Sequence, residues 1–334
     1  MNLKKFFIIL TTLVLALGIF LVYHLFQITV PVASKMTWGV NFSQMQAEDL
    51  RMDWKKMYLA ILEDLGVKHI KLMTQWDFLE DKRGKYYFND VDWQLQEAQK
   101  HGADIIYVVG MKSGRWPECH LPNWVDGLSK EEQQDELLKY VGAAVSRYKD
   151  NKAIIAWQVE NEPLFNFGEC PWYDKNFLKK EVALVKSLDK NRPVIISDSG
   201  EQSFWISAAK IGDVVGVTTY RKLWFGQPSG IGMYATFPIP ASYYYQRSRL
   251  IQYLFGKKVI GVELQAEPWA YKKYHDVSLK EQEKTMNLEQ FRKNVEYAKS
   301  TGFDTFYFWG TEWWYWLKEN QDRPDIWNEA RKLF

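Results

Sequence analysis

Residues 153–163 read Ala153-Ile154-Ile155-Ala156-Trp157-Gln158-Val159-Glu160-Asn161-Glu162-Pro163. The part from Ala153 to Val159 is apolar and β-branched, the composition of a buried strand. Pro163 has no N–H to give to a sheet ladder, so the strand must stop before it. Asn161 and Glu162 are left at the strand's C-terminal tip. In parallel α/β folds that is the edge where ligands bind.

The same kind of strand recurs outward in both directions. Candidates fall at 38–42, 69–73, 104–109, 154–159, 194–197, 214–219, 259–263 and 305–309. Most are continuous apolar runs, as in a parallel sheet covered on both faces. Between them lie amphipathic helical stretches at 53–65, 91–101, 130–149, 174–189, 202–210, 241–255 and 279–300, with a last one at 323–333. Gly66, Gly102 and Gly302 stand where a helix gives way to a strand, the place for a left-handed stop. Eight βα units in roughly 300 residues are the arithmetic of a (β/α)8 TIM barrel. A doubly wound sheet would want a glycine fingerprint after its first strand. Here that strand reads Gly39-Val40-Asn41-Phe42-Ser43-Gln44, which is no dinucleotide loop. The stretch 221–240, rich in Gly, Pro and aromatics, reads as a loop over the mouth.

The N-terminus is a separate element. Lys4-Lys5 precede an apolar run from Phe6 to Val22, and apolar character resumes through Val32. That length suits one transmembrane helix with its positive end in the cytoplasm. The expected division is a membrane anchor over 1–34 and a barrel domain over 35–334, the barrel lying outside the cytoplasm. A signal peptide cleaved near Val32-Ala33-Ser34 is the alternative and gives a secreted domain.

Composition narrows the partners. The chain has 334 residues, 47% hydrophobic and 25% charged, with a net charge of +2. Its basic residues are dispersed, which argues against nucleic acid. It carries 16 Trp, 19 Tyr and 19 Phe, enough to line a cleft that stacks on sugar rings as well as to fill a core. Cys119 and Cys170 each follow a strand, and they form one disulfide if their loops meet, or two free thiols if not. No CxxC spacing supports a metal site, and no cofactor is expected.

The carboxylates carry the chemistry. Strand four delivers Asn161 and Glu162. The seventh strand delivers Glu263, with Glu267 four residues further out. In a barrel these tips face one another across the mouth. Glycosidic bond cleavage needs such a pair, one carboxyl protonated to feed the leaving oxygen and one ionised. At about 5–5.5 Å apart the ionised one attacks and configuration is retained. Glu160 reads as structural, pointing away from Asn161. Trp116 and Trp124, in the loop after strand three, are subsite candidates, and His120, Asp198 and Glu312 are weaker candidates near the mouth.

On these residues the chain resembles the retaining (β/α)8 glycoside hydrolases of clan A, from about Thr37 onward. In them an Asn-Glu-Pro closes strand four and a Glu closes strand seven. Trp76-Asp77-Phe78-Leu79-Glu80, then Gly84-Lys85-Tyr86-Tyr87-Phe88, then Asp92 is similar to the opening of family 42 β-galactosidases and family 5 cellulases and mannanases. The resemblance implies Glu162 as acid/base, Glu263 as nucleophile and Asn161 bonding the sugar 2-hydroxyl. It also implies Tyr220 on the nucleophile and Trp309 as the sugar platform. Trp116 and Trp76 are further carbohydrate contacts. The implied activity is O-glycosidic hydrolysis of an extracytoplasmic oligo- or polysaccharide. A non-hydrolytic carbohydrate-binding barrel and a transglycosylase are the alternatives. Two departures stand out. Lys71 occupies strand two where the family often has Arg, whose fork a lysine lacks. The usual Glu-x-Gly of strand seven is replaced by Glu263-Leu264-Gln265-Ala266-Glu267, which leaves Glu267 as a second nucleophile candidate. Sugar identity, endo or exo action and oligomeric state have no signal in the sequence.

Overall fold

The computed structural model describes residues 3–27, 29–227 and 229–334. A helix α1 (Leu3–Gln27) precedes β1 (Thr37–Ser43), α2 (Gln44–Asp49), α3 (Trp54–Glu63), β2 (His69–Met73), α4 (Trp76–Leu79) and α5 (Asn89–Lys100). Then follow β3 (Asp104–Val109), α6 (Lys130–Tyr148), β4 (Ile154–Val159), α7 (Lys175–Leu188), β5 (Val194–Asp198), α8 (Ile206–Ile211) and β6 (Val214–Thr219). The last part comprises β7 (Lys222–Gly226), β8 (Gly232–Thr236), α9 (Ala241–Phe255), β9 (Lys258–Gln265), α10 (Leu279–Gln282), α11 (Leu288–Lys299), β10 (Thr305–Trp309), α12 (Thr311–Asn320) and α13 (Asp325–Ala330).

Eight of these strands close a parallel barrel in the order β1-β10-β9-β6-β5-β4-β3-β2. The expected TIM barrel is therefore the fold, and all eight strands lie where the sequence placed them. Strand side chains divide between two cores. One fills the barrel in layers: Ile106, Ala156, Ile195, Ile260, Val262 and Tyr307 below, then Met73, Val108 and Trp309 near the mouth. The other packs the barrel's outer face, including Trp157 and Val159, against the helices. Cores on both faces explain why the strands read as unbroken apolar runs.

Three sequence expectations are corrected. Residues 221–240 do not form an irregular loop. They contain an antiparallel hairpin of β7 and β8, with Trp224 packed on Tyr234 at 4.9 Å. Residue 228, at its turn, lies outside the described residues. The single helix expected at 279–300 is two, because the Asn287 side chain accepts from Gln290 N at 2.9 Å and starts α11 afresh. The stretch at 202–210 becomes helical only from Ile206, after Trp205 adopts a left-handed φ of 62°.

Helix α1 has 25 residues, a length of about 37 Å. Its window Leu3–Leu21 has a mean hydropathy of 2.1 and is wholly exposed. Among the described residues it is the one helix long and apolar enough to cross a membrane. Residues 1, 2 and 28 of the expected anchor segment lie outside the described residues.

Cys119 and Cys170 are bonded, their Cα atoms 5.2 Å apart and 51 residues apart in sequence. The bridge ties the loop after β3 to the loop after β4. Closing a loop of that length removes about 4 kcal/mol of unfolded-state entropy by the chain model. A Cys119→Ala/Cys170→Ala variant is expected to lose a stability of about 2–4 kcal/mol in urea unfolding. An unchanged midpoint would show that the two loops hold together without the bond.

Candidate active site

The two candidate glutamates reach the mouth because strand alternation breaks at each. On β4, Ala156 and Gln158 point into the barrel while Trp157 and Val159 point out. Glu160 then takes a φ of 60°, in the left-handed region that disfavours a side chain. It turns its carboxylate outward to accept the Met111 N–H at 2.8 Å, and the Lys112 N–H as well. Asn161 is thereby turned inward, beside Gln158. Glu162 follows at φ 46°, its own N–H donating to Ser197 Oγ at 2.8 Å. Strain of this kind persists where the surroundings fix it, commonly at functional sites.

On β9 the break is a bulge. The pairing of β9 with β6 and β10 skips one residue between Gly261 and Leu264. Val262 faces the barrel interior, and the extra residue brings Glu263 round to the same side. The disrupted ladder is repaired by Asn41 of β1. Its amide donates to Val262 O at 3.0 Å and to Phe308 O at 3.1 Å.

Glu263 is almost completely buried. Lys71 Nζ donates to its Oε1 at 2.9 Å and Tyr220 OH to its Oε2 at 2.7 Å. Burial and the neighbouring Glu263 charge push the Tyr220 phenol well above its ordinary range, so it remains a donor. Lys71 also donates to Asn161 Oδ1 at 3.1 Å, and Gln158 Nε2 donates to the same oxygen at 3.0 Å. With Oδ1 satisfied twice, Asn161 presents Nδ2 as its free-facing donor. Lysine's lack of a fork is no handicap at this position, since its ammonium reaches acceptors on two different strands.

Glu162 sits in a different environment. Thr218 Oγ1 donates to its Oε1 at 2.8 Å. Burial, reinforced by the negative charges of Glu263 and Glu118, raises its carboxyl to about 8. One carboxyl is thus kept protonated while the other lies in an ion pair with Lys71. A buried carboxyl that keeps its proton, set beside one bonded by a lysine and a tyrosine, suits an acid and a nucleophile.

Sequence reading missed several neighbours. Arg115, at φ 69° in the loop after β3, crosses to the strand-seven side. It pairs with Glu267, and with Glu312 at 2.7 Å, while its guanidinium stacks 4.2 Å from the Trp309 ring centre. Glu267 also accepts the Trp309 indole N–H at 2.8 Å, and burial lifts its carboxyl to about 7. Glu312 accepts the Ser43 N–H at 2.7 Å. Glu118, at φ 77°, is buried with its carboxyl raised to about 7 by burial. Gly168 makes room for it, since a Cβ there would lie 2.5 Å from Glu118 Cβ. Lys112 donates to Glu162 O at 3.1 Å and Phe165 O at 2.9 Å. Glu267 and Glu312 were candidates from the sequence, whereas Arg115, Glu118 and Lys112 lie in a loop beyond a strand tip, where no periodicity pointed to them.

The remaining candidates separate. Trp309 lies in the mouth, and Gly114 leaves space beside it: a Cβ there would meet Trp309 at 3.1 Å and Asn161 Nδ2 at 3.4 Å. Trp116 is half-exposed on the same loop, edge-on to Phe167. Trp76 is corrected. It is fully buried in the outer core, stacked on Tyr140 at 5.9 Å, and donates its N–H to Glu80 at 2.7 Å. Trp124 packs edge-on against Trp76. His120 is buried, its Nε2 3.1 Å from Gly114 O and from Arg115 O. Asp198 binds Ser203 and the Ser199 N–H within its own loop. Among the described residues no group of three His, Cys, Asp or Glu side chains is placed to hold a metal ion.

Glycosyl hydrolase family 10 matches the chain over residues 56–182, a span that contains Glu162 and ends before Glu263. Mannan endo-1,4-beta-mannosidase F of Aspergillus fumigatus is 29% identical over 171 residues, covering 42% of this chain and 39% of that protein. Endo-1,4-beta-xylanase 3 of Hypocrea jecorina is 26% identical over 185 residues, 52% of this chain and 48% of that one. The chain thus spans less than half the length of these curated relatives. In fold it is similar to a β-galactosidase of Rahnella sp. R3, with a TM-score of 0.61 at 12% identity, over 92% of this chain and 57% of that one. It is also similar to the endo-beta-1,4-mannanase of Thermotoga petrophila, with a TM-score of 0.55 at 20% identity, over 83% and 68%. In the family match and in its closed parallel barrel the chain is similar to the (β/α)8 glycoside hydrolases of clan A.

Proposed function

We propose that the protein is a retaining β-glycoside hydrolase acting outside the cytoplasm, on a β-1,4-linked mannan- or xylan-type chain. The observation that carries this reading is the asymmetric pair. Glu263 is ion-paired and bonded by Lys71 and Tyr220, and Glu162 is buried with its proton retained to about pH 8. In the first step a Glu263 oxygen bonds the anomeric carbon while the glycosidic C–O bond breaks, and Glu162 gives its proton to the leaving oxygen. In the second, Glu162 takes a proton from water, whose oxygen displaces Glu263 and releases the sugar with its configuration retained. Asn161 Nδ2 holds the 2-hydroxyl and the Trp309 ring supports the sugar. Glu267 is committed to Arg115 and Trp309, which favours Glu263 as nucleophile.

The relatives' printed activities motivate the substrate class. Incubating the protein with β-1,4-mannan and β-1,4-xylan, and following the first-formed anomer by proton NMR, tests the reading. Release of the β-anomer first supports it, and release of the α-anomer would overturn the retaining mechanism. Helix α1 would hold the barrel at the membrane with Lys4 and Lys5 inside the cell, unless it is removed as a signal.

The acid's pKa gives a pH dependence. Glu162 must carry its proton, so kcat/KM should hold below about pH 8 and fall by about tenfold per unit above it. A profile flat to pH 10 would show that the proton comes from another group.

A further inference from the structure

A barrel is polar end to end. Its strands start at the floor and finish at the mouth, so α9, which leads into β9, ends at the floor. The last turns of α9 expose Leu250, Tyr253 and Leu254, at 45%, 86% and 52%. Their spacing of three and four residues sets them in one stripe along the helix. A different face of the same helix, with Tyr244, Arg247 and Ile251, packs on the core. Arg249 is exposed beside the stripe.

Helix α1 comes to the same corner. Residues 28–36 join it to β1 at the floor, a link of at most about 30 Å. Val30 and Tyr245 of α9 both close on Gly302, just before β10: a Cβ there would lie 3.0 Å from Val30 Cγ1 and 2.6 Å from Tyr245 Cδ2. Helices α1 and α9 touch. An apolar stripe next to the exit of a helix able to cross a membrane has one occupant that fits, the bilayer interface. Tyrosine favours that zone, with leucines below it and basic side chains at the headgroups. Arg249, and Lys258 at the start of β9, are exposed cations at this end of α9.

We propose that the floor-side end of α9 is a membrane-contact surface. Leu250, Tyr253 and Leu254 dip into the interface beside α1, and the mouth with Glu162 and Glu263 points away from the bilayer. This rests on α1 being a retained anchor. Its consequence is a substrate that approaches from the aqueous side, not a sugar borne on a lipid of the same membrane.

The two cysteines are both in the disulfide, so a single introduced cysteine can be labelled selectively. Tyr253→Cys and, at the mouth end of α6, Glu131→Cys are made in the full chain, labelled with an environment-sensitive dye and reconstituted into nanodiscs containing anionic lipid. Lipids with a quencher at the top of the acyl chain should quench the label at 253 severalfold more than the label at 131. Protein that enters the nanodiscs with both labels equally unquenched would overturn the docking surface while leaving the anchor intact. Protein that stays out of the nanodiscs, with α1 missing by intact mass, would overturn the anchor and the docking surface with it.

Discussion

Glu263→Gln is expected to lower kcat by roughly 10^4-fold or more on every substrate, because the attacking oxygen is lost. Glu162→Gln should behave differently. On a natural sugar leaving group it should cost about 10^2–10^4-fold, the range of a general acid. On an aryl glycoside whose leaving group departs without a proton, the first step should be nearly normal and the second slow. A burst of released phenol would then precede a slow steady state. Added azide should restore turnover in Glu162→Gln and yield a β-glycosyl azide, since the azide needs no base. Both amides should fold, because the backbone N–H of residue 162 still donates to Ser197, Thr218 can still donate to an amide oxygen there, and Tyr220 can do so at residue 263. Equal loss on all leaving groups in both variants would sink the division of roles.

Lys71→Met is the second large effect, on stability as well as rate. Lys71 is fully buried and its ammonium lies 2.9 Å from Glu263. Removing it strands a carboxylate in the barrel, which costs about 3–5 kcal/mol. For a domain of this size that lowers Tm by roughly 10 °C. The loss should be specific to the charge. In a Lys71→Met/Glu263→Gln double variant the stranded charge is gone, so the two destabilisations should fall short of additivity by about 1–3 kcal/mol. Simple addition would show that Lys71 contributes packing alone. The reading of Lys71 as an imperfect stand-in for arginine gives way here. A single ammonium that bonds Glu263 and Asn161 together links the nucleophile to the residue proposed to hold the sugar.

The barrel was legible because a strand covered on both faces leaves an unbroken apolar run, and eight such runs lay at regular spacing. Asn161, Glu162 and Glu263 were legible as neighbours because strand tips in a barrel converge by topology, while Tyr220 and Trp309 entered through the family resemblance. How two of them face the mouth was not. Strict alternation would leave Glu263 turned away from the side to which Ile260 and Val262 point, and only the bulge in β9 brings it round. Likewise the left-handed Glu160 decides that Asn161, and not Glu160, joins Gln158. Arg115 and Glu118 come from a loop whose path is set by left-handed turns and the disulfide to Cys170, none of which has a period. Trp76 misled because a tryptophan just past a strand tip can turn either to the mouth or to the helices. Its indole N–H found Glu80 and its ring found Tyr140 on the helix side.

The most direct test of the central claim is to trap the glycosyl–enzyme. The protein is incubated with 2-deoxy-2-fluoro β-glycosides of the manno, gluco and xylo series carrying a dinitrophenyl leaving group. It is then digested and sequenced by mass spectrometry. The account predicts one added fluorosugar on the Glu263 carboxylate. An adduct on Glu267, or a chain that hydrolyses a β-glycan yet forms no adduct with any of the three, would contradict it.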